Sequence, residues 1–234
     1  MRQDLEDFIY IYFLNQRTDP EPPTSTLLRL AELVLKLNTF QFGSKYYQQV
    51  RGVAMGTKMG PSYACLFVGH LEHMFFQQYR GAVPCLFRRY IDDVIGAACC
   101  SESQLEQFLT SMGNFHPAIK YTFTITDTQE SFLDISLSVD ESRISTSVFY
   151  KSTDSHSYLT YTSSHPVKTK DSIPYSQFLR LRRLCSDDGD YVRQVSAMTD
   201  FFLARGYPSS IISSAADRVS NMTRSEALSP AHHE

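Results

Sequence analysis

Two aspartates side by side within the otherwise apolar-rich run Leu86-Phe87-Arg88-Arg89-Tyr90-Ile91-Asp92-Asp93-Val94-Ile95 constrain the fold of this chain more than any other feature. Successive strand residues face opposite sides, so a regular strand cannot turn both carboxylates toward one ligand. A tight turn can. Cys85 to Cys100 therefore reads as strand, turn, strand, with the turn near Asp92-Asp93. Converging carboxylates repel unless a cation neutralises them, and an oxygen-only site favours Mg²⁺ or Mn²⁺. Such a pair suits phosphoryl transfer by two metals. Asp-Asp is also an ordinary polar turn sequence, and taken alone that plainer reading prevails.

A second feature lies upstream, Gly52-Val53-Ala54-Met55-Gly56-Thr57-Lys58-Met59-Gly60-Pro61-Ser62. Glycines spaced four apart let backbone approach a bulky partner with no Cβ in the way. The loop runs into a helix that Pro61 can open, where the backbone dipole favours phosphate. The Gly-Lys-Ser/Thr ending of a nucleotide P-loop is absent, and a purely structural turn is an equally good reading of the loop by itself.

The rest of the chain reads as an α+β arrangement. Asp4 to Asn15 is an aromatic-rich stretch, helix or strand, followed by a proline linker, Asp19 to Pro23. Thr24 is expected to cap a helix bearing Leu27, Leu30, Ala31 and Val34. Thr39 to Phe42 and Lys45 to Val50 flank Gly43-Ser44 as a β-hairpin. Ala64, Phe67, Val68, Leu71 and Phe75 stripe the helix after Pro61, and Ser101 caps another that ends before Pro117. Tyr121 to Thr126, Ser131 to Val139 and Ile144 to Tyr150 alternate like strands. Helices are expected from Pro174, from Asp190 to Ala204, and from Ser209 to Met222. The expected organisation is residues 1–151, then a helical region 152–224, then a disordered tail 225–234.

Charge and cysteines narrow the classes. The net charge of −3 argues against a chain coated all over with nucleic acid, yet Arg143, Lys151, Lys168, Lys170, Arg180, Arg182 and Arg183 cluster against only Asp154 and Asp171. On charge alone this is a solvated face; it is also what a phosphate track needs. Cys65, Cys85, Cys99, Cys100 and Cys185 form no Cys-x-x-Cys pair and no secretory signal precedes them. They read as small reduced core residues of an intracellular, nuclear or cytoplasmic protein that is not secreted. No apolar run reaches the roughly 20 residues that span a bilayer, so no membrane partner is expected. His70 and His73 lack a second pair for zinc, and His156 and His165 read as turn residues.

Together, the glycine loop, its apolar helix and the Tyr-x-Asp-Asp hairpin that follows resemble motifs B and C of reverse transcriptases. Gln49 to Ala64 resembles motif B of Penelope-like retroelements, and Arg89-Tyr90-Ile91-Asp92-Asp93 their motif C. Phe132-Leu133-Asp134, Tyr150-Lys151-Ser152-Thr153-Asp154 and Ile173 to Arg183 also resemble that family, so the likeness runs from about Pro22 to Arg218.

The resemblance implies a partial polymerase palm followed by a helical thumb. It implies RNA-directed DNA polymerisation with Mg²⁺ or Mn²⁺, an RNA template, a DNA primer and dNTPs. Asp92 and Asp93 would be the metal-binding carboxylates, and Lys120 the lysine that assists the leaving pyrophosphate. Arg51, Gly52, Ala54, Met55, Gly56 and Lys58 would meet template and nucleotide; Lys151, Arg180 and Arg183 would meet nucleic-acid backbone. One departure stands out. Such enzymes bring a further aspartate from an upstream motif A, and neither Asp4, Asp7 nor Asp19 fits it. The chain is therefore expected to begin downstream of motif A and to be inactive as it stands. The alternative is a non-catalytic nucleic-acid-binding remnant of a decayed retroelement.

Overall fold

The computed structural model describes residues 22–50, 52–140 and 143–229. The aromatic stretch Asp4 to Asn15 and Arg51 lie outside them. The described residues form two compact units, one ending at Phe123 and the other beginning at Thr124. Helices and small antiparallel sheets alternate in an α+β fold.

The first unit opens with α1 (Thr24–Lys36). Pro23 rather than Thr24 stands at its N-cap, without a side-chain cap, and no residue of the helix is buried. The hairpin of β1 (Thr39–Phe42) and β2 (Lys45–Gln48) follows, as expected. Gly43 sits at φ +64°, the conformation that the first residue of a type II′ turn requires. Next come α2 (Gly60–Gln78), β3 (Leu86–Tyr90), β4 (Asp93–Ala97) and α3 (Glu102–Gly113). Ser101 caps α3 through a reciprocal capping box with Gln104. The core of this unit is Phe75, Phe108 and Met112, joined by Tyr79, Phe87, Leu105, Leu109, Phe115 and Tyr121. Phe75 meets Phe108 and Phe115 edge to face, with ring centroids 5.5 and 5.4 Å apart. Such pairs add to plain area burial.

The second unit joins the three-stranded sheet β5 (Gln129–Phe132), β6 (Ile135–Asp140), β7 (Arg143–Val148) to four helices: α4 (Val167–Leu184), α5 (Asp188–Ala204), α6 (Ser209–Ser220) and α7 (Arg224–Ala227). Its core gathers Val148, Phe178, Leu181, Cys185, Met198, Phe202, Tyr207, Ile212 and Val219. The change of character near Ser152 is thus a passage from sheet to helix inside one packed unit.

Four local expectations are corrected. Tyr121 to Thr126 forms no strand; Tyr121 instead packs with the α2–α3 core. Ser131 to Val139 is not one strand but is broken by a two-residue turn at Leu133-Asp134. The α4 helix starts at Val167, and Pro174 lies inside it, fully buried. An interior proline costs about 3 kcal/mol, which the surrounding core contacts offset. Residues 225–227, expected in a disordered tail, belong to α7, where Ala227 is completely buried and Thr223 and Glu226 form a capping box.

Candidate catalytic hairpin and its supports

The strands β3 and β4 pair antiparallel from Leu86↔Ala97 to Tyr90↔Asp93, leaving Ile91 and Asp92 as the two loop residues. The turn sits one residue earlier than the Asp92-Asp93 dipeptide, so Asp93 is the first residue of β4 rather than a turn residue. Ile91 adopts φ +56°. For a β-branched side chain this is a strained conformation, costing on the order of 1–3 kcal/mol.

A clamp beneath the turn holds this geometry. The Arg89 guanidinium donates to both carboxylate oxygens of Glu72 on α2, at 2.6 and 3.0 Å. It also donates to the Cys65 carbonyl at 3.4 Å and, at 2.9 Å, to the carbonyl of Ile91 in the turn itself. Side-chain exposure of the pair is only 14% and 15%, so solvent screens it little. The hydrogen bonds to Glu72 raise the Arg89 pKa above its ordinary value. Phe87, two residues back along β3, meets Phe76 with centroids 5.5 Å apart. From Phe87 to Arg89 the strand thus advances from Phe76 toward Cys65, aiming the turn at the end of α2 that the glycine loop enters.

Asp92 and Asp93 are exposed, and neither carboxylate has a hydrogen-bond or ion-pair partner among the described residues. The arginine nearest in sequence is committed to Glu72, which leaves both carboxylates free for an external cation. Among the described residues no group of three or more His, Cys, Asp or Glu side chains is placed to hold an ion. Asp92 and Asp93 alone supply one side of a centre.

The glycine loop contains a turn in which the Thr57 amide donates to the Ala54 carbonyl at 3.4 Å. Gly56, at φ +89°, occupies the position where a type II turn needs glycine. Met55 at the tip is fully exposed, and a Cβ added to Gly56 would meet nothing within 4 Å. Gly52 and Lys58 are also exposed, and Ala54 is half-buried. Lys120 is exposed and touches neither aspartate. Its neighbour Tyr121 is half-buried, and its phenol pKa is raised, first by burial and then by the Glu72 charge.

The basic cluster is mostly spent inside the second unit. Arg180 donates to Asp134 at 3.0 and 2.5 Å. Arg182 binds the Met222 carbonyl and Asp188. Arg183 binds the Ala227 carbonyl at 2.7 Å. Lys170 is buried and donates to the Tyr161 and Ser163 carbonyls at 2.8 and 3.0 Å. Lys151, Lys168 and Arg143 remain exposed without a recorded partner among the described residues.

Two features escaped the sequence reading. One is the Arg89–Glu72 clamp, whose signal was an arginine on the inward side of an apolar strand, a place that demands a counter-charge. The other concerns the cysteines. Only Cys185 is buried; Cys85 and Cys99 are exposed, and their sulfurs lie 3.5 Å apart. They flank the strands just outside the paired region, where no core covers them.

Comparison with known proteins adds three findings. A family model described as an animal helix-turn-helix domain matches residues 157–216, which take in α4, α5 and the start of α6. The link from α5 to α6, Arg205-Gly206-Tyr207-Pro208, has the length and the glycine common in such turns. A telomerase reverse transcriptase of Takifugu rubripes is 36% identical over 62 residues, 26% of this chain and 6% of that protein. A telomerase reverse transcriptase of Oryza sativa subsp. japonica is 30% identical over 89 residues, 33% of this chain and 7% of that protein. The chain therefore spans only a small part of these relatives' length. No solved structure matches. These partial similarities support a reverse-transcriptase-like relationship. Among the described residues, no helix is long and apolar enough to cross a membrane.

Proposed function

We propose that this chain is part of a reverse-transcriptase-like polymerase of the Penelope-like type, in which the β3–β4 hairpin presents Asp92 and Asp93 to catalytic metal. The observation that carries the reading is the pair of carboxylates, unpartnered among the described residues, at a strained turn held on α2 by a charge clamp that avoids them. The partial similarity to telomerase reverse transcriptases supports the same direction. The glycine loop, with Met55 and Lys58 exposed on it, would face template and nucleotide. Among the described residues, Lys58, Lys120 and Lys151 are exposed and available to meet phosphate, as are Lys168 and Arg143. Mg²⁺ or Mn²⁺ would supply Lewis-acid chemistry to nucleotidyl transfer when bound. Among the described residues, Asp92 and Asp93 form one wall of that site.

A second reading is favoured by the helix-turn-helix match at 157–216: the second unit binds nucleic acid without catalysis. One assay separates the two. Primer extension on an RNA template with Mg²⁺ and dNTPs should be absent with the 234-residue chain alone. It should appear when a segment carrying a further carboxylate strand is supplied ahead of Met1, and vanish on Asp92→Ala. Salt-sensitive hybrid binding that never gains extension favours the second reading; extension that survives Asp92→Ala overturns the first.

A further inference from the structure

The neck of the same hairpin carries a feature that polymerisation does not use. Cys85 immediately precedes β3 and Cys99 closely follows β4, so the two sulfurs face each other across the open end of the hairpin. The Cys85 thiol contacts the Ala97 carbonyl at 3.2 Å. With that proton directed to the carbonyl, the hydrogen between the sulfurs comes from Cys99. Both residues are exposed, whereas Cys100 is half-buried and has no recorded sulfur contact. The bond a disulfide needs is about 2.05 Å, so a shift of about 1.5 Å joins two side chains that no core restrains.

We propose that Cys85 and Cys99 form a reversible, peroxide-sensitive disulfide that locks the base of the carboxylate hairpin. The thiolate of either cysteine attacks one peroxide oxygen and hydroxide leaves, giving a sulfenic acid. The other sulfur then attacks the sulfenic sulfur; the S–S bond forms, the S–O bond breaks, and the hydroxide leaves as water with the attacking thiol's proton. The hydrogen bond with Cys85 holds the Cys99 thiol above its ordinary pKa. Overall two thiols and one hydrogen peroxide give one disulfide and two waters. The sulfurs are oxidised and the peroxide O–O bond is reduced. A dithiol reductant returns both thiols and is itself oxidised to its disulfide.

The consequence follows from the size of the sheet. β3 and β4 form a sheet of their own with no third strand among the described residues, and two-stranded ribbons are marginal without support. Their support lies on one side, in Phe87 and Arg89 against α2. A covalent bond across the neck removes the open states in which the strands separate.

The test treats the 234-residue chain with a few equivalents of hydrogen peroxide, blocks free thiols, and maps the linkage by non-reducing peptide mass spectrometry. A single intramolecular Cys85–Cys99 peptide that dithiothreitol abolishes is expected. Cys85→Ser and Cys99→Ser should each eliminate it, and Cys100→Ser should leave it. Hydrogen exchange should show the amides of 86–97 slowed on the order of tenfold or more by oxidation. A Cys99–Cys100 link, a cross-link between chains, sulfinic acid without a bridge, or unreacted thiols would each overturn the assignment from the wild-type chain alone. A Cys85–Cys99 bridge with unchanged exchange would overturn the lock.

Discussion

Two hairpins in this protein are built alike and end differently. The β3–β4 turn is Ile91-Asp92, and the β5–β6 turn is Leu133-Asp134. In each, an apolar residue takes φ +56° and an aspartate follows it. Asp134 is then seized by Arg180 from α4, whereas Asp92 meets no cation among the described residues, Arg89 being bound to Glu72. One local turn geometry thus yields a structural carboxylate in one place and an available one in the other. An aspartate at a turn tip is by itself no sign of a site; the disposition of the neighbouring arginine decides.

The largest test of this contrast removes the clamp. Arg89→Ala leaves Glu72 as an uncompensated, largely buried carboxylate and should cost about 3 kcal/mol in urea unfolding. A cost below about 1 kcal/mol would show that the clamp does not hold the hairpin.

Relief of strain comes next. Ile91→Gly should stabilise the chain by about 1 kcal/mol, because glycine accepts positive φ and the release outweighs its added chain entropy. Leu133→Gly should gain less, since leucine is not β-branched. Equal gains would mean that the β-branch carries none of the strain.

Alkali probes the surroundings of Arg180. Burial raises the Tyr150 phenol from 10.0 to about 12, partly countered by the Arg180 charge. Below pH 10 the phenol is protonated whether the chain is folded or not. As pH rises, the unfolded chain loses this proton first, so stability falls until the folded pKa near 12 is passed. Allowing for partial exposure, Tyr150→Phe should remove on the order of 1 kcal/mol of that loss. An unchanged alkaline profile in Tyr150→Phe would place the transition on another group.

The smallest effect compares the aspartates directly. Asp134→Asn should cost about 0.5–1 kcal/mol, as expected for a half-exposed ion pair. Asp92→Asn should change stability by less than about 0.5 kcal/mol. A destabilising Asp92→Asn would reveal a partner for this carboxylate and weaken its candidacy.

Much of the scaffold was legible residue by residue. Gly43-Ser44 announced its hairpin, Ser101 its capped helix, and the stripe Leu71, Phe75 the buried side of α2. The misses were places where long-range packing overrode a local signal. Pro174 looked like a helix start but is carried inside α4 by the core around Phe178 and Leu181. The alternation of Tyr121 to Thr126 promised a strand, but Tyr121 found its cover in the core beside α2. Arg180, Arg182 and Arg183 read as a face for phosphate, and the fold uses them to tie α4 to the β5–β6 turn, α5 and α7.

The sequence by itself determined the α+β alternation, the Ser101 cap, the Gly43-Ser44 turn and the adjacency of Asp92 and Asp93, because these depend on neighbours a few residues apart. Only the tertiary structure decided which charges are free. Glu72 and Arg89 lie seventeen residues apart, and Asp134 and Arg180 forty-six. Whether a cation reaches a carboxylate depends on how a helix packs against a strand, and no local pattern encodes that distance. The cysteines make the same point. Composition placed all five in the core, and packing left Cys85 and Cys99 outside it, with their sulfurs 3.5 Å apart.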